Sequence, residues 1–177
     1  MKKVLAGLGV FTFFAAVSAQ AQPPERVTDQ PGVYVDGQLG GSFTTSDTFD
    51  NSVNVGGGIG YRFTPNLRLA GIFTYRPDFG ADRTNWTLLG NGYYDFNTVP
   101  LGPFVPYVKG GIGLAHNERG DDTSDDFAWD VGAGLSYPLA PQTALDIDYQ
   151  YTDMGTPPGT TAGLQAHEIK LGLRYQF

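Results

Sequence analysis

Two histidines are the residues best suited to acid–base chemistry in this sequence of 177 residues. His116 lies two positions before Glu118, and His167 directly precedes Glu168. A histidine base supports nucleophilic catalysis only when a nucleophile lies beside it. Neither histidine belongs to a His-x-Ser pattern, and the chain contains no cysteine. We therefore predict that the protein is not an enzyme and has no catalytic residues, and we interpret both histidines as residues at strand ends.

The acidic segment 118–126, with the sequence ERGDDTSDD, is a second candidate for chemistry. Its carboxylates are oxygen ligands of the kind that Ca²⁺ prefers. The spacing lacks the ligand order, the central glycine and the terminal glutamate of an EF-hand loop. A weak calcium site stays open as an alternative. We interpret the segment as a solvated acidic loop and predict no cofactor and no metal site.

The same segment contains Arg119-Gly120-Asp121, the tripeptide that integrin receptors recognise. Three residues in a given order arise often by chance. The tripeptide therefore supplies a hypothesis of adhesion to host cells, and the alternative is an ordinary stretch of the solvated loop.

The composition excludes several classes of protein. The formal net charge of −7 argues against a nucleic-acid partner, because such proteins are usually basic. The absence of cysteine excludes disulfides and thiolate metal sites, and it suits an oxidising, exported compartment. Aromatic residues make up 14% of the chain, and 25 residues are glycine. Aromatic residues are enriched at membrane interfaces, and glycine marks bends and close backbone approach in barrels.

The N-terminal residues are typical of an export signal. Lys2 and Lys3 precede an uncharged apolar stretch at residues 4–17, and Ala19-Gln20-Ala21 fits a signal-peptidase site. A retained membrane anchor is the alternative, but the apolar stretch is shorter than the roughly 20 residues that a spanning helix needs. We predict a signal peptide at residues 1–21, a short lead-in at residues 22–31 and one folded domain at residues 32–177.

The rest of the chain alternates between apolar and polar residues with a period of two, which predicts β-strands. Eight such segments lie near residues 32–43, 52–63, 67–76, 83–96, 104–115, 127–139, 143–152 and 168–177. Connections after the second and sixth segments are very short, whereas those after the first, third, fifth and seventh are mostly longer and acidic. This pattern is typical of outer-membrane barrels, with long loops outside the cell and both termini in the periplasm. The fold class is therefore all-β, an eight-stranded antiparallel up-and-down transmembrane β-barrel.

Aromatic residues cluster near the ends of these segments, as two girdles at the membrane interfaces require. A soluble lipocalin-like barrel, with its apolar face inside, is the alternative. The crowding of glycine on the polar face fits a narrow, filled lumen better than a solvated surface. The predicted girdle consists of Tyr61, Phe63, Trp86, Tyr94, Phe96, Phe127, Trp129, Tyr149, Tyr151, Tyr175 and Phe177.

If lipid surrounds the apolar face, the polar faces line a lumen in which charges nearly balance. Buried charges must be paired or hydrated. Eight strands leave an interior just wide enough for side chains to fill, so we predict a network of ion pairs that plugs the barrel. A narrow ion-conducting porin is the alternative. The network is predicted to contain Asp36, Arg62, Arg68, Arg76, Asp95, Lys109, Asp130, Asp146, Asp148, Glu168, Lys170 and Arg174.

Two stretches resemble the OmpA-like and opacity-type family of eight-stranded outer-membrane barrels. Residues 105–114, VPYVKGGIGL, resemble the PY-x-x-x-G-x-G strand of that family, and residues 167–177 resemble its last strand. In this family a C-terminal Phe after alternating apolar residues is read by the barrel assembly machinery, which implies that Tyr175 and Phe177 form the assembly signal. OmpA continues into a periplasmic peptidoglycan-binding domain. This sequence stops at Phe177, so we expect the barrel alone and no wall-anchoring role.

The resemblance implies a structural, surface-exposed protein of the bacterial outer membrane whose loops contact the outside, sometimes as an adhesin. We expect outer-membrane lipid and lipopolysaccharide as partners, the latter through cations bound by acidic loops. The assembly machinery acts during insertion, and a host-surface ligand is a further candidate. We expect no nucleic acid and a monomer. Some barrels of this architecture hydrolyse lipid A, and such an enzyme remains an alternative that the missing His-x-Ser pattern disfavours.

Overall fold

The computed structural model describes residues 30–44, 51–77, 83–157, 159, 161 and 163–177. These residues form eight antiparallel strands, and the eighth pairs with the first, so that the sheet closes into a barrel. This arrangement confirms the predicted fold class. Among the described residues, no helix is long and apolar enough to cross a membrane. The predicted signal peptide, and the lead-in up to residue 29, lie outside the described residues.

The strands follow one another around the barrel in chain order. They are β1 Gly32–Thr44, β2 Ser52–Arg62, β3 Leu67–Arg76, β4 Arg83–Asp95, β5 Val105–Arg119, β6 Asp122–Ala140, β7 Thr143–Asp153 and β8 Gln165–Gln176. We call the end with the short turns, Gly32 and Phe177 the terminus rim. The opposite end, which carries the β1–β2, β3–β4, β5–β6 and β7–β8 connections, is the long-loop rim.

Successive side chains of each strand point alternately inward and outward, because a strand has a side-chain period of two. In β3 every second residue is buried, from Arg68 to Arg76, while the residues between them are exposed. The exposed positions of the barrel are mainly large apolar residues such as Leu39, Ile59 and Ile112. The barrel therefore has an apolar outer wall and a polar interior, as a barrel surrounded by lipid requires.

Inward-facing glycines make room for large side chains from neighbouring strands. A Cβ atom at Gly60 would lie 2.2 Å from Cζ of Tyr34, and one at Gly134 would lie 2.5 Å from Cζ of Tyr107. These distances are shorter than side chains tolerate, so the two tyrosine rings occupy the volume that the missing side chains leave free. The two rings thereby fill part of the narrow interior.

The acidic segment 118–126 differs from the predicted loop. Strands β5 and β6 continue past residue 115 and meet in a tight turn, with His116 opposite Asp125 and Glu118 opposite Thr123. Gly120, in this turn, has a φ of +58°, which glycine adopts without strain. Apolar alternation stops where the hairpin leaves the apolar wall, but backbone pairing continues between polar residues. Residues 45–50 and 78–82, in two other predicted long loops, lie outside the described residues.

Candidate functional site

The barrel interior brings together most of the charged residues that the polar faces predicted. Ion pairs join Arg62 and Arg68 to Asp95, Arg76 and Lys170 to Glu168, Lys109 to Asp130, and Arg174 to Asp146. Each pair links residues from different strands or different levels of the barrel. Since each strand supplies an inward side chain at every second position, strand pairing determines which charges meet.

Glu168 of β8 is the centre of the group of residues nearest the long-loop rim, which we call the Glu168 cluster. Arg76 of β3 donates to both carboxylate oxygens, from Nε to Oε1 at 2.8 Å and from Nη2 to Oε2 at 3.0 Å. The exposed fraction of both side chains is 0%. Such fork-shaped, charge-assisted pairs are the strong ones, and a buried carboxylate depends on them.

Neutral side chains complete the Glu168 cluster, and the sequence reasoning missed them. Ser42 donates to Oε1 at 2.5 Å and Asn54 donates to the same oxygen at 3.2 Å. Gln150 and Thr152 donate to Oε2 at 2.6 and 3.1 Å. The only signal for them was their inward position on strands β1, β2 and β7, and many other residues share that signal.

A second group, the Arg68 cluster, lies nearer the terminus rim. Arg68 donates three hydrogen bonds of 2.9 to 3.1 Å to the carboxylate of Asp95, and Arg62 adds one of 2.8 Å. The Arg68 guanidinium also lies 4.4 Å from the ring centroid of Tyr93 and 5.1 Å from that of Tyr107. These are cation–π distances. The tyrosines were not predicted as members of the network.

Between the two clusters, Lys109 contacts Asp130 at 3.3 Å and donates to the side-chain oxygen of Gln150. Nearer the terminus rim, beside the Arg68 cluster, Arg174 contacts Asp146 at 3.1 Å and donates to Ser136 at 2.8 Å. The interior is therefore crossed by polar contacts at several heights.

Two predicted members of the network have no basic partner within 4.0 Å in the described part of the chain. Asp36 accepts a hydrogen bond from Gln38 at 3.0 Å, and Asp148 accepts one from the hydroxyl of Tyr107 at 3.2 Å. These carboxylates are held by neutral donors instead of by lysine or arginine.

An apolar group covers the Glu168 cluster on the side of the long-loop rim. Met154 and Leu164, from the β7–β8 connection, have exposed fractions of 0% and 2% and pack with Ala115, Ala128 and Ala166. The backbone N–H of Met154 donates to the carbonyl of Leu164 at 2.9 Å. We call Met154, Leu164 and these alanines the apolar cap. Beside it, hydrogen bonds run from Arg76 through Asn85 and Asn117 to Asp126.

The predicted girdle residues all face outward and divide between the two rims. Trp86, Phe127, Trp129, Tyr149 and Tyr151 lie toward the long-loop rim, and Tyr61, Phe63, Tyr94, Phe96, Tyr175 and Phe177 lie toward the terminus rim. Both histidines join the first group. His116 stacks on Trp86 with 5.1 Å between ring centroids, and His167 packs against Tyr151 at 5.3 Å.

His116 lies beyond the apolar wall of β5, which ends at Leu114. Its Nδ1 is 2.6 Å from a carboxylate oxygen of Asp125, and its Nε2 is 3.2 Å from one of Glu118. The hydrogen bond with Asp125 is the main cause that raises the pKa of His116 above its usual value near 6.5, and the contact with Glu118 raises it further. Since both ring nitrogens face carboxylates, neither is available to take a proton from a nucleophile. This geometry does not support base catalysis.

His167 contacts a neighbouring tyrosine of the outer wall. Nδ1 of His167 lies 2.5 Å from the hydroxyl of Tyr149. Across the described residues, no group of three or more histidine, aspartate or glutamate side chains is arranged to hold a metal ion.

Comparison with known proteins places this geometry among bacterial outer-membrane proteins. The family described as "Outer membrane protein beta-barrel domain" matches residues 9–177. The chain is 32% identical to outer membrane protein PagN of Salmonella typhimurium over 83 residues, which cover 39% of this chain and 34% of PagN. It is 27% identical to a 22 kDa outer membrane protein of Rhizobium leguminosarum bv. viciae over 103 residues, 52% of this chain and 46% of the relative. The matches thus span only about a third to a half of these relatives.

Among solved structures, the crystal structure of Neisserial surface protein A is similar to this one. The TM-score is 0.72 at 23% identity, and the alignment covers 82% of this chain and 97% of the other. At this level of identity, the likeness shows a shared fold. It supports the closed eight-stranded barrel described above.

Proposed function

This chain belongs to the outer membrane protein β-barrel domain family, and from this membership we propose that it is a plugged, non-enzymatic barrel that acts through the surface it displays. The observation that carries the proposal is the buried Glu168 cluster beneath the apolar cap. The carboxylate of Glu168 accepts six hydrogen bonds from five side chains, and the pair it forms with Arg76 is inaccessible to solvent. Opening a path there would expose a buried charge without its partner, which is costly.

Liposome swelling tests the plug. Liposomes that contain the refolded protein are transferred to solutions of small solutes such as glycine or arabinose, and their turbidity is followed. We expect the same slow change as in protein-free liposomes. Rapid swelling, with folding verified by the heat-dependent gel shift of the barrel, would make the narrow porin the better account.

We further propose that the long-loop rim faces the outside of the cell, because long loops are extracellular in barrels of this class. The outward side chains just beyond the girdle include Glu118, Asp125 and Asp153. Carboxylates repel the phosphates of lipopolysaccharide unless divalent cations lie between them. Contact with lipopolysaccharide would therefore depend on Mg²⁺ or Ca²⁺. Loss of the refolded protein's binding to lipopolysaccharide on addition of EDTA is the expected result.

Adhesion to a host cell is a second candidate function, and the position of Arg119-Gly120-Asp121 favours it. The tripeptide lies at the tip of the hairpin of β5 and β6, which have 15 and 19 residues and are the longest strands. Gly120 holds a left-handed conformation between the two strands, so that Asp121 lies in the turn. A receptor that binds the aspartate through its own divalent cation would meet this tip before any other part of the described hairpin.

For export and assembly we propose the roles that the sequence suggests. Residues 1–21 act as a signal peptide, residues 22–31 as a lead-in, and Tyr175 and Phe177 are read by the assembly machinery. The mass of the protein purified from outer membranes tests the first role. A mature chain that begins at Gln22 is expected, and a chain that retains Lys2 and Lys3 would contradict it.

A further inference from the structure

A small enclosed cavity lies inside the barrel next to the Arg68 cluster. Gln38 of β1, Asp148 of β7 and Arg174 of β8 are among the side chains that line it, together with Tyr107, Asp146 and Gly172. The cavity has room for the centre of about one water molecule. The cavity lies between the Glu168 cluster and the terminus rim. None of the residues of the Glu168 cluster lines it.

Four polar atoms of these side chains have no hydrogen-bond partner among the described residues: Oε1 of Gln38, Oδ1 of Asp148, and Nε and Nη1 of Arg174. Nε of Arg174 lies 3.1 Å from a carboxylate oxygen of Asp146 as part of their ion pair, so the other three atoms are the ones that need a partner. Asp148 is 7% exposed and Arg174 is 3% exposed, so bulk solvent does not satisfy these groups. A buried polar atom without a partner loses its hydration and gains nothing in return, which destabilises the fold. Three such atoms around one cavity point to a shared ligand.

We propose that the cavity binds one water molecule, which donates to Gln38 Oε1 and Asp148 Oδ1 and accepts from Arg174 Nη1. Two acceptors and one donor match what a single water offers, and about three hydrogen bonds is typical for a buried water. A cation would face the guanidinium of Arg174. An anion would face the carboxylates of Asp36, Asp146 and Asp148, so neither ion matches the cavity.

The water lies where the barrel closes. Gln38 belongs to the first strand, and it is paired across the sheet with Gly172 of the last strand. Asp148 belongs to β7, which pairs with β8 on the other side. The water therefore connects three strands around the β1–β8 seam, and it stabilises the closure that makes the sheet a barrel.

A crystal structure of the full barrel that resolves ordered water tests the site directly. We expect one density peak within hydrogen-bond distance of the three named atoms. An empty cavity would overturn the proposal. A peak with several oxygen contacts near 2.4 Å, as around a metal cation, would overturn it equally.

The variant Gly172→Ala tests what the water does. A Cβ atom at Gly172 would lie 3.7 Å from Cγ of Gln38 and 3.7 Å from Cβ of Asp146, so a methyl group fits at the cavity wall without a clash. The matched control is Gly71→Ala, because Gly71 faces outward and has no atom within 4 Å of an added Cβ.

We expect Gly172→Ala to lose the peak and to speed amide hydrogen exchange across the β1–β8 pairs about fivefold relative to Gly71→Ala, the size of one lost hydrogen bond. If the density peak is lost but amide hydrogen exchange stays unchanged, the water does not stabilise the pairing of β1 with β8. Retention of the peak together with the faster exchange would show that the effect has another origin.

Discussion

Arg76 on β3 and Glu168 on β8 form a two-pronged ion pair across the barrel interior, with N–O distances of 2.8 and 3.0 Å. The two strands are not neighbours in the sheet, since β1 and β2 lie between them on one side. The pair therefore spans the lumen instead of joining adjacent strands. It connects parts of the wall that are three strands apart, and it crosses the interior between them.

Breaking this pair from one side should be costly. Glu168→Gln leaves Arg76 buried without a counter-charge, and the expected loss is about 3 to 5 kcal/mol in the free energy of unfolding. Urea unfolding of the refolded barrel in lipid vesicles measures it. The double variant Arg76→Gln/Glu168→Gln serves as the matched control. It should lose less than the single variant, because it removes the buried guanidinium together with its counter-charge and keeps a side-chain oxygen for the neighbouring donors. Equal losses in the two would contradict an ion pair that is buried as described.

Arg68 should not be replaceable by lysine. Arg68→Lys keeps the positive charge but removes the planar fork that donates three hydrogen bonds to Asp95 and stacks near Tyr93. We expect a loss of about 2 kcal/mol in unfolding free energy. Arg62→Lys is the control, since Arg62 reaches Asp95 through Nη1 alone, and its loss should be smaller. The opposite order would show that the cation–π contacts contribute little.

The apolar cap should depend on Met154. Met154→Ala removes a fully buried side chain, and large-to-small changes of this kind cost about 2 to 5 kcal/mol. The β7–β8 connection should then be cleaved faster by protease, because opening of this segment becomes easier. Leu114→Ala, on the outer wall, provides a comparison in which the connection keeps its resistance. Equal cleavage of both variants would mean that Met154 does not hold the connection in place.

His116 should titrate above its usual range near pH 6.5, because the Asp125 and Glu118 carboxylates raise its pKa. A raised folded-state pKa means that this contact stabilises the fold at low pH and that the stabilisation disappears as the pH rises through the raised value. NMR titration of the imidazole measures the pKa. Asp125→Asn should lower it, since Asp125 is the main cause of the shift. Asp153→Asn, which does not contact His116, should leave it unchanged.

Adhesion through the hairpin tip should depend on one methylene group. Asp121→Glu lengthens the side chain while keeping its charge, and it should reduce binding of expressing cells to host cells to the level of cells without the protein. EDTA should have the same effect, because the receptor's cation binds the carboxylate. The control Asp122→Glu alters the adjacent residue outside the tripeptide. Undiminished adhesion of the Asp121→Glu cells would remove this candidate function.

Alternation of residue types was sufficient to predict the strands and their outward faces. The outward row of β3, from Leu67 to Tyr75, and its buried row, from Arg68 to Arg76, both follow from a period of two. The same reasoning failed at residues 116–126, where the residues on both faces are polar. There, pairing between β5 and β6 is carried by the backbone and by contacts such as that of His116 with Asp125.

The identity of the charged residues inside the barrel was predictable, but their partners were not. Arg76 meets Glu168, which is 92 residues away, only because the stagger of all eight strands brings the two to one height. The sequence does not distinguish neutral partners such as Ser42 and Gln150 from polar residues that are exposed to solvent. The contacts of Tyr93 and Tyr107 with Arg68 could not be predicted for the same reason.

The most direct test of a plugged barrel is single-channel conductance of the purified, refolded protein in a planar bilayer. Folding is verified in the same sample by the heat-dependent gel shift. A silent bilayer is expected for the unaltered protein, because the Arg76–Glu168 pair and the apolar cap close the lumen. Steady openings that change when Arg62 or Asp130 is neutralised would contradict it, and the charged interior would then be a conduction path.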